Sequence, residues 1–137
     1  MRRAIRDTVA LGGILCWIGA ATAAGQEEAL AAVPSGLTLA LMDQRIEPQS
    51  DGSDWARFRF LAPALATGVS YDAVEGDFAH LCTEYALPDL KDRGAEVAQV
   101  VISLSSKELE FGETQPDIIQ FFEAFRVENG LCIWEAF

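Results

Sequence analysis

The sequence predicts an α+β fold: a mainly antiparallel sheet of about five strands with one long amphipathic helix packed on one face. Three observations carry this expectation. Asn129-Gly130 lies between two apolar runs, FFEAFRVE and LCIWEAF, and both residues tolerate the positive φ of a two-residue hairpin turn. Tyr71, Val74, Phe78, Leu81, Cys82 and Tyr85 recur at helical spacing and form one stripe. Elsewhere, short runs alternate apolar with polar residues or are rich in β-branched side chains, as strands are.

The chain is expected to open on an export signal. Arg2, Arg3 and Arg6 make a basic start, Val9 to Ala20 an apolar run, and Ala21-Thr22-Ala23 a small-residue cleavage pattern. The apolar run is shorter than the roughly 18–20 residues that a spanning helix needs. Leu15 precedes Cys16 where a lipid-modified signal wants a small residue, and Arg2-Arg3 lacks the flanks of a twin-arginine signal. Residues 1–23 therefore read as a removed signal peptide, 24–32 as a flexible Ala/Glu-rich lead-in, and 33–137 as a single α+β domain. The expected location is periplasmic or secreted, with no stable membrane anchor after cleavage.

Val33-Pro34-Ser35-Gly36 punctuates the lead-in. Leu37 to Ile46 sets Leu37, Leu39 and Leu41 against Thr38, Ala40 and Met42, a strand pattern, and Glu47 to Asp54 is a loop rich in turn formers. Trp55 to Ala62 alternates Ala56, Phe58, Phe60 and Ala62 inward with Arg57 and Arg59 outward, so the two runs predict a hairpin. After a connector over 63–68, Ser70 is placed as a helix N-cap, with Asp72 in the first turn where the helix dipole favours a negative charge. His80, Glu84, Asp77 and Thr83 fall on the side of this helix away from the stripe. Pro88 is expected to kink or end it, with one further turn to Arg93 stopped at Gly94.

Ala98 to Ser105 predicts a central strand, Lys107 to Phe111 a short neighbouring strand, and Ile118 to Phe122 a helical turn capped by Thr114. Across the Asn129-Gly130 turn, Glu128 faces Leu131, and the partners follow in order to Ala124 and Glu135. Phe121, Phe125, Val127, Cys132, Trp134 and Ala136 then share a core face, and Phe122, Ala124, Arg126, Ile133, Glu135 and Phe137 the opposite one.

The full chain carries a formal net charge of −11, and losing Arg2, Arg3, Arg6 and Asp7 with the signal takes it to −13. Phosphate binding depends on Lys and Arg, so a surface of this sign excludes nucleic acid as a partner and repels anionic lipid. Cys16 leaves with the signal, and an even pair remains, Cys82 and Cys132. In an oxidising compartment an even count reads as a disulfide. Cys82 lies on the helix stripe that faces the sheet and Cys132 on the hairpin face that faces the helix, so both enter one layer. Their wide spacing and core positions argue against a redox-exchange pair, whose cysteines sit close in sequence and exposed.

No catalytic, metal or cofactor site is legible. His80 and Cys82 stand two apart on a helix, about 200° around it, and cannot meet as a dyad. One histidine and two cysteines supply too few ligands for zinc without carboxylates. Asp51-Gly52-Ser53-Asp54 has part of a calcium loop but lacks its alternating ligands and distant Glu, and reads as a solvated turn. Gly-rich phosphate loops, G-x-S-x-G and H-E-x-x-H do not occur. Glu108, Glu110 and Glu113 read as an acidic edge that discourages aggregation. Arg57 and Arg59, adjacent on an outward face, are the candidates for contact with an anionic ligand. The plainer reading pairs them with nearby carboxylates.

The runs FFEAFRVENGLCIWEAF, WARFRFLAPAL and VVISLS, with the YDAV…LC helix, resemble a family of small exported alphaproteobacterial proteins known only as a domain of unknown function. The resemblance spans nearly all of the chain after the signal; it implies export and carries no catalytic residue, cofactor or substrate. The expected function is a non-catalytic binding or accessory module for an unknown protein or small ligand. The alternative is a small hydrolase or isomerase working with carboxylates alone, which a cleft holding two convergent carboxylates would favour.

Overall fold

A computed structural model of the chain describes residues 12–13 and 30–136. Apart from Gly12 and Gly13, the signal peptide expected over residues 1–23 lies outside the described residues, as do most of the lead-in and the closing Phe137. Among the described residues one sheet carries six strands in chain order: β1 (Leu30–Ala31), β2 (Leu39–Pro48), β3 (Asp54–Leu61), β4 (Gln99–Ser105), β5 (Gln120–Glu128) and β6 (Leu131–Glu135). Neighbouring strands are antiparallel except β3 and β4, which run parallel. The helical run between those two makes the crossover that a parallel pair requires. The α+β class, the mainly antiparallel sheet and the helix on one face are as the sequence predicts. The lead-in adds a two-residue strand, β1, against β2.

The helical run is continuous from Tyr71 to Asp92: α1 (Tyr71–Leu81), a π turn (Cys82–Ala86) and α2 (Leu87–Asp92). Pro88 therefore does not end it. A proline has no N–H for the carbonyl four residues back, and its ring presses on that carbonyl. The chain widens one turn before the proline, so that the Leu87 N–H donates to the Cys82 carbonyl. Gly94, at φ 66°, takes the left-handed conformation that closes the helix, with the Ala95 N–H returning to the Leu90 carbonyl at 2.9 Å.

The stripe residues Val74, Phe78, Leu81 and Cys82 are buried against Phe58, Phe60, Val100, Ile102, Leu104 and Phe125 of the sheet. Tyr85 stands edge-on to Phe58 and Phe60, with ring centroids 6.2 and 5.3 Å away. Asp77 departs from its expected outward place and is 1% exposed. It sits beside Phe78 at the margin of the stripe, where the chain before β2 covers it. Its Oδ1 accepts from the Ser35 N–H at 2.9 Å and its Oδ2 from the Ser35 hydroxyl at 2.5 Å. The carboxylate thus exchanges water for two donors and ties the turn before β2 to α1.

The last hairpin has the expected register, from Glu128↔Leu131 to Ala124↔Glu135. Asn129 and Gly130 take φ of 51° and 73°, the pair of positive values that a type I′ turn needs. Cys132 accordingly faces the helix and forms a disulfide with Cys82, Cα–Cα 6.3 Å. Trp134 shares that face but lies on the outermost strand, beyond the helix's cover, and is 59% exposed.

Two expected elements are absent. Lys107–Phe111 forms no strand, because β4 already has β3 on one side and β5 on the other. The chain leaves β4 at Ser106, crosses the sheet face opposite the helix, and returns at Ile119, where Ser106 N–H donates to the Ile119 carbonyl at 2.8 Å. This crossing segment, residues 107–118, is called the strap below. Ile118–Phe122 forms no helical turn. Ile118 N–H closes a turn on the Gln115 carbonyl at 3.1 Å, and β5 starts at Gln120 opposite Ser105.

Candidate ligand cleft

The face opposite the helix owes its chemistry to one extra residue. In β2 the pairing with β3 shifts between Leu41 and Asp43, so Met42 is a bulge and the side-chain alternation inverts there. Leu39 and Leu41 before the bulge pack on the helix-side core. Past it, Asp43 and Arg45 lie opposite Arg59 and Arg57 on the outer face, with Glu47 on that same face. Arg57 Nε meets Glu47 Oε2 at 2.6 Å, and Arg59 Nη1 meets Asp43 Oδ2 at 2.5 Å.

Arg59, its side chain 7% exposed, also donates through Nη2 to the Leu109 carbonyl. That bond and the buried Leu109 side chain pin the strap across the sheet. The predicted alternation of Lys107–Phe111 survives in a different setting. Leu109 is turned inward, and Phe111 follows it into the arginines, with the Arg45 guanidinium 4.2 Å from the ring centroid and those of Arg57 and Arg59 at 5.8 Å.

Between strap and sheet lies a cleft of about 280 Å³. Arg57, Arg59, Val101, Ser103 and Phe122 form its floor, and Glu110, Phe111, Glu113 and Thr114 its strap side. Ser103 is 6% exposed, and its Oγ has no hydrogen-bond partner among the described residues. On the far side of the Leu109 pin a second hollow, of about 480 Å³, is bordered by Asp43, Glu108 and Gln115. A wider apolar groove of about 900 Å³ runs between α2 and the last hairpin, remote from this polar cluster.

Both expected arginines are therefore together in one cleft, and the carboxylate pairing also foreseen for them is present at the same time. Asp43, Ser103 and Phe111 escaped the sequence reasoning. The alternation of Gln99, Val101, Ser103 and Ser105 along β4 held a signal: a buried central strand with polar groups at every outer position but one faces something other than core. The expected acidic edge is not an edge, since Glu108, Glu110 and Glu113 all ride on the strap. Asp51 folds back in its turn, its Oδ1 accepting from Ser53 Oγ and N–H at 2.6 and 2.9 Å. Those two bonds hold its carboxyl below the usual range, the side-chain one most. Cys82 is consumed by the disulfide, which leaves His80 without a thiol. Among the described residues, no group of three His, Cys, Asp or Glu side chains is placed to hold a metal ion.

A second polar cluster lies at the edge of the helix-side face. Glu123, between Phe121 and Phe125, interrupts the expected apolar face. It accepts from the Tyr71 hydroxyl and, at 2.7 Å, from Trp134 Nε1. The bond to Glu123, then burial, pushes the Tyr71 hydroxyl up from 10 to about 12. A raised phenol stabilises the fold below pH 10, and that contribution is lost as pH climbs from 10 through about 12. The chain has two tyrosines, so a Tyr85→Phe background leaves Tyr71 alone to be followed by phenolate absorbance. Adding Glu123→Gln should bring its midpoint down towards 10. An unmoved midpoint would show that the carboxylate is not the cause.

Residues 15–137 match the family model described as "Family of unknown function (DUF6497)". No curated protein and no solved structure matches the chain.

Proposed function

Because the chain belongs to that family of unknown function, whose membership assigns no activity, we propose from the geometry that it is an exported, non-catalytic binding module. Its ligand would be small and would sit between the outer sheet face and the strap. The observation that carries this is Ser103: a buried hydroxyl without a protein partner, on the floor of a cleft that also offers Arg57 and Arg59. Leaving such a group unmade costs roughly 1–3 kcal/mol, which a fold tolerates where the group serves a ligand. Asp43 and Glu47 are engaged by Arg59 and Arg57, which suits counter-charges better than a catalytic acid and base.

Export is supported by the basic, apolar and small-residue order of residues 1–23. The Cys82–Cys132 disulfide is compatible with an oxidising compartment. No helix among the described residues is long and apolar enough to cross a membrane. The acidity left after signal removal argues against nucleic acid as the partner.

The test is amide chemical-shift mapping of nitrogen-labelled protein against a small-molecule extract of the producing cells. Shifts should cluster at Arg57, Arg59, Ser103 and the strap. Silence, or shifts confined to the groove between α2 and the hairpin, would overturn the reading.

A further inference from the structure

Resting on that cleft, we infer that its ligand is a small zwitterion with an apolar body, of the kind of a free α-amino acid with an aromatic or branched side chain. Size sets the first limit. At about 280 Å³ the space is at the lower end of small-molecule sites, roughly 300–1,000 Å³, which suits a ligand the size of one amino acid better than a nucleotide or an oligosaccharide.

Charge sets the second. On β2 and β3 the outer face brings three guanidinium groups, Arg45, Arg57 and Arg59, against two carboxylates, Asp43 and Glu47. That leaves one positive charge in excess along β2 and β3, with Arg57 and Arg59 reaching the cleft floor, while the strap side presents Glu110 and Glu113. A simple anion entering here meets the glutamates, and a simple cation meets the arginines. A molecule carrying both charges sets its carboxylate towards Arg57 and Arg59 and its ammonium towards the strap. Arg57 uses Nε for Glu47, so the other edge of its planar fork can grip a carboxylate. Ser103 lies beside Arg59 and Phe122 in the strand register, where its hydroxyl can donate to the same carboxylate. Val101, Phe111 and Phe122 supply the apolar surface between the two charged ends.

Titration calorimetry on the oxidised protein without its signal tests this with a matched set: phenylalanine, hydrocinnamate, which lacks the ammonium, and phenethylamine, which lacks the carboxylate. Phenylalanine should bind at least about tenfold more tightly than either relative, the loss expected when a charged group is left unpaired. Arg57→Met should weaken phenylalanine and hydrocinnamate but not phenethylamine, whose ammonium loses a repelling guanidinium and gains the freed Glu47 carboxylate. Glu113→Gln, on the exposed strap where folding is not at stake, should weaken phenylalanine and spare hydrocinnamate. Either relative binding as tightly as phenylalanine would overturn the zwitterion. Silence of all three, and of leucine as the branched alternative, would also overturn it. If the cell extract still moves the cleft amides in that case, the cleft stands and only the ligand class falls.

Discussion

Replacing Cys82 and Cys132 together by alanine should lower the melting temperature by on the order of 15 °C. The bridge joins residues 50 apart in sequence, and cross-linking over such a span stabilises by about 4 kcal/mol on the chain-entropy estimate. In a domain of this size each 1 kcal/mol moves the midpoint by roughly 4 °C. The bridge is also local support. Among the described residues β6 pairs with β5 alone in the sheet, and beyond that ladder it is held by the Gln99–Glu135 hydrogen bond and by the covalent bond to the buried Cys82. A calorimetric melt of the double variant, beside the parent with and without reductant, measures the effect. A variant melting within a few degrees of the oxidised parent would mean that the bridge follows the fold and does not secure it.

Phe60→Ala should cost about 3–5 kcal/mol, the range for removing a buried ring. Phe60 is fully buried on β3, packed edge-on to Tyr85, and its strand neighbours are Leu41 on the antiparallel side and Leu104 on the parallel side. Nothing on an outer turn can swing in to fill that space, because both flanking strands are held by their own ladders. Phe122→Ala on the half-exposed opposite face should by contrast cost far less. Urea unfolding of both variants gives the comparison, and equal losses would place the core elsewhere than beneath the helix.

The parts legible in the sequence are those in which local chemistry and burial agree. Asn129-Gly130 admits a turn that few other residue pairs allow, and the hairpin register, the face of Cys132 and the disulfide all follow from it. The helix stripe was legible because the face it buries is continuous. Arg57 and Arg59 shared an outward face by the period of two alone, but their partners did not show. Asp43 and Glu47 reach them only because Met42 inserts a residue into the ladder, and a bulge in an apolar-rich strand leaves no mark of its own. Lys107–Phe111 alternates as a strand does, yet pairing needs a free edge, and that depends on the rest of the sheet. Asp77 misled for another reason: a carboxylate reads as exposed unless its donor, Ser35, is known to reach it. Glu123, left out of both hairpin faces, has its donors Tyr71 and Trp134 just as far off in sequence.

The single parallel seam divides the sheet into two blocks with different histories. Within β2–β3 the pairing starts six residues apart, at Pro48 and Asp54, and within β5–β6 it starts three apart, at Glu128 and Leu131. Along the seam each pair, from Trp55↔Gln99 to Leu61↔Ser105, is separated by 44 residues. Bringing distant segments together is the slow part of forming a sheet, so the two hairpins are expected to assemble first and the seam to close last, with the helical crossover laid on both. The strap is laid between β4 and β5 and rests on β3, and so it crosses that seam. The cleft beneath it takes its arginines from one block and its serine from the other, so on that expectation it would form only with the final docking. A chain caught halfway would have its hairpins and no binding site, which makes ligand binding a report on completed folding.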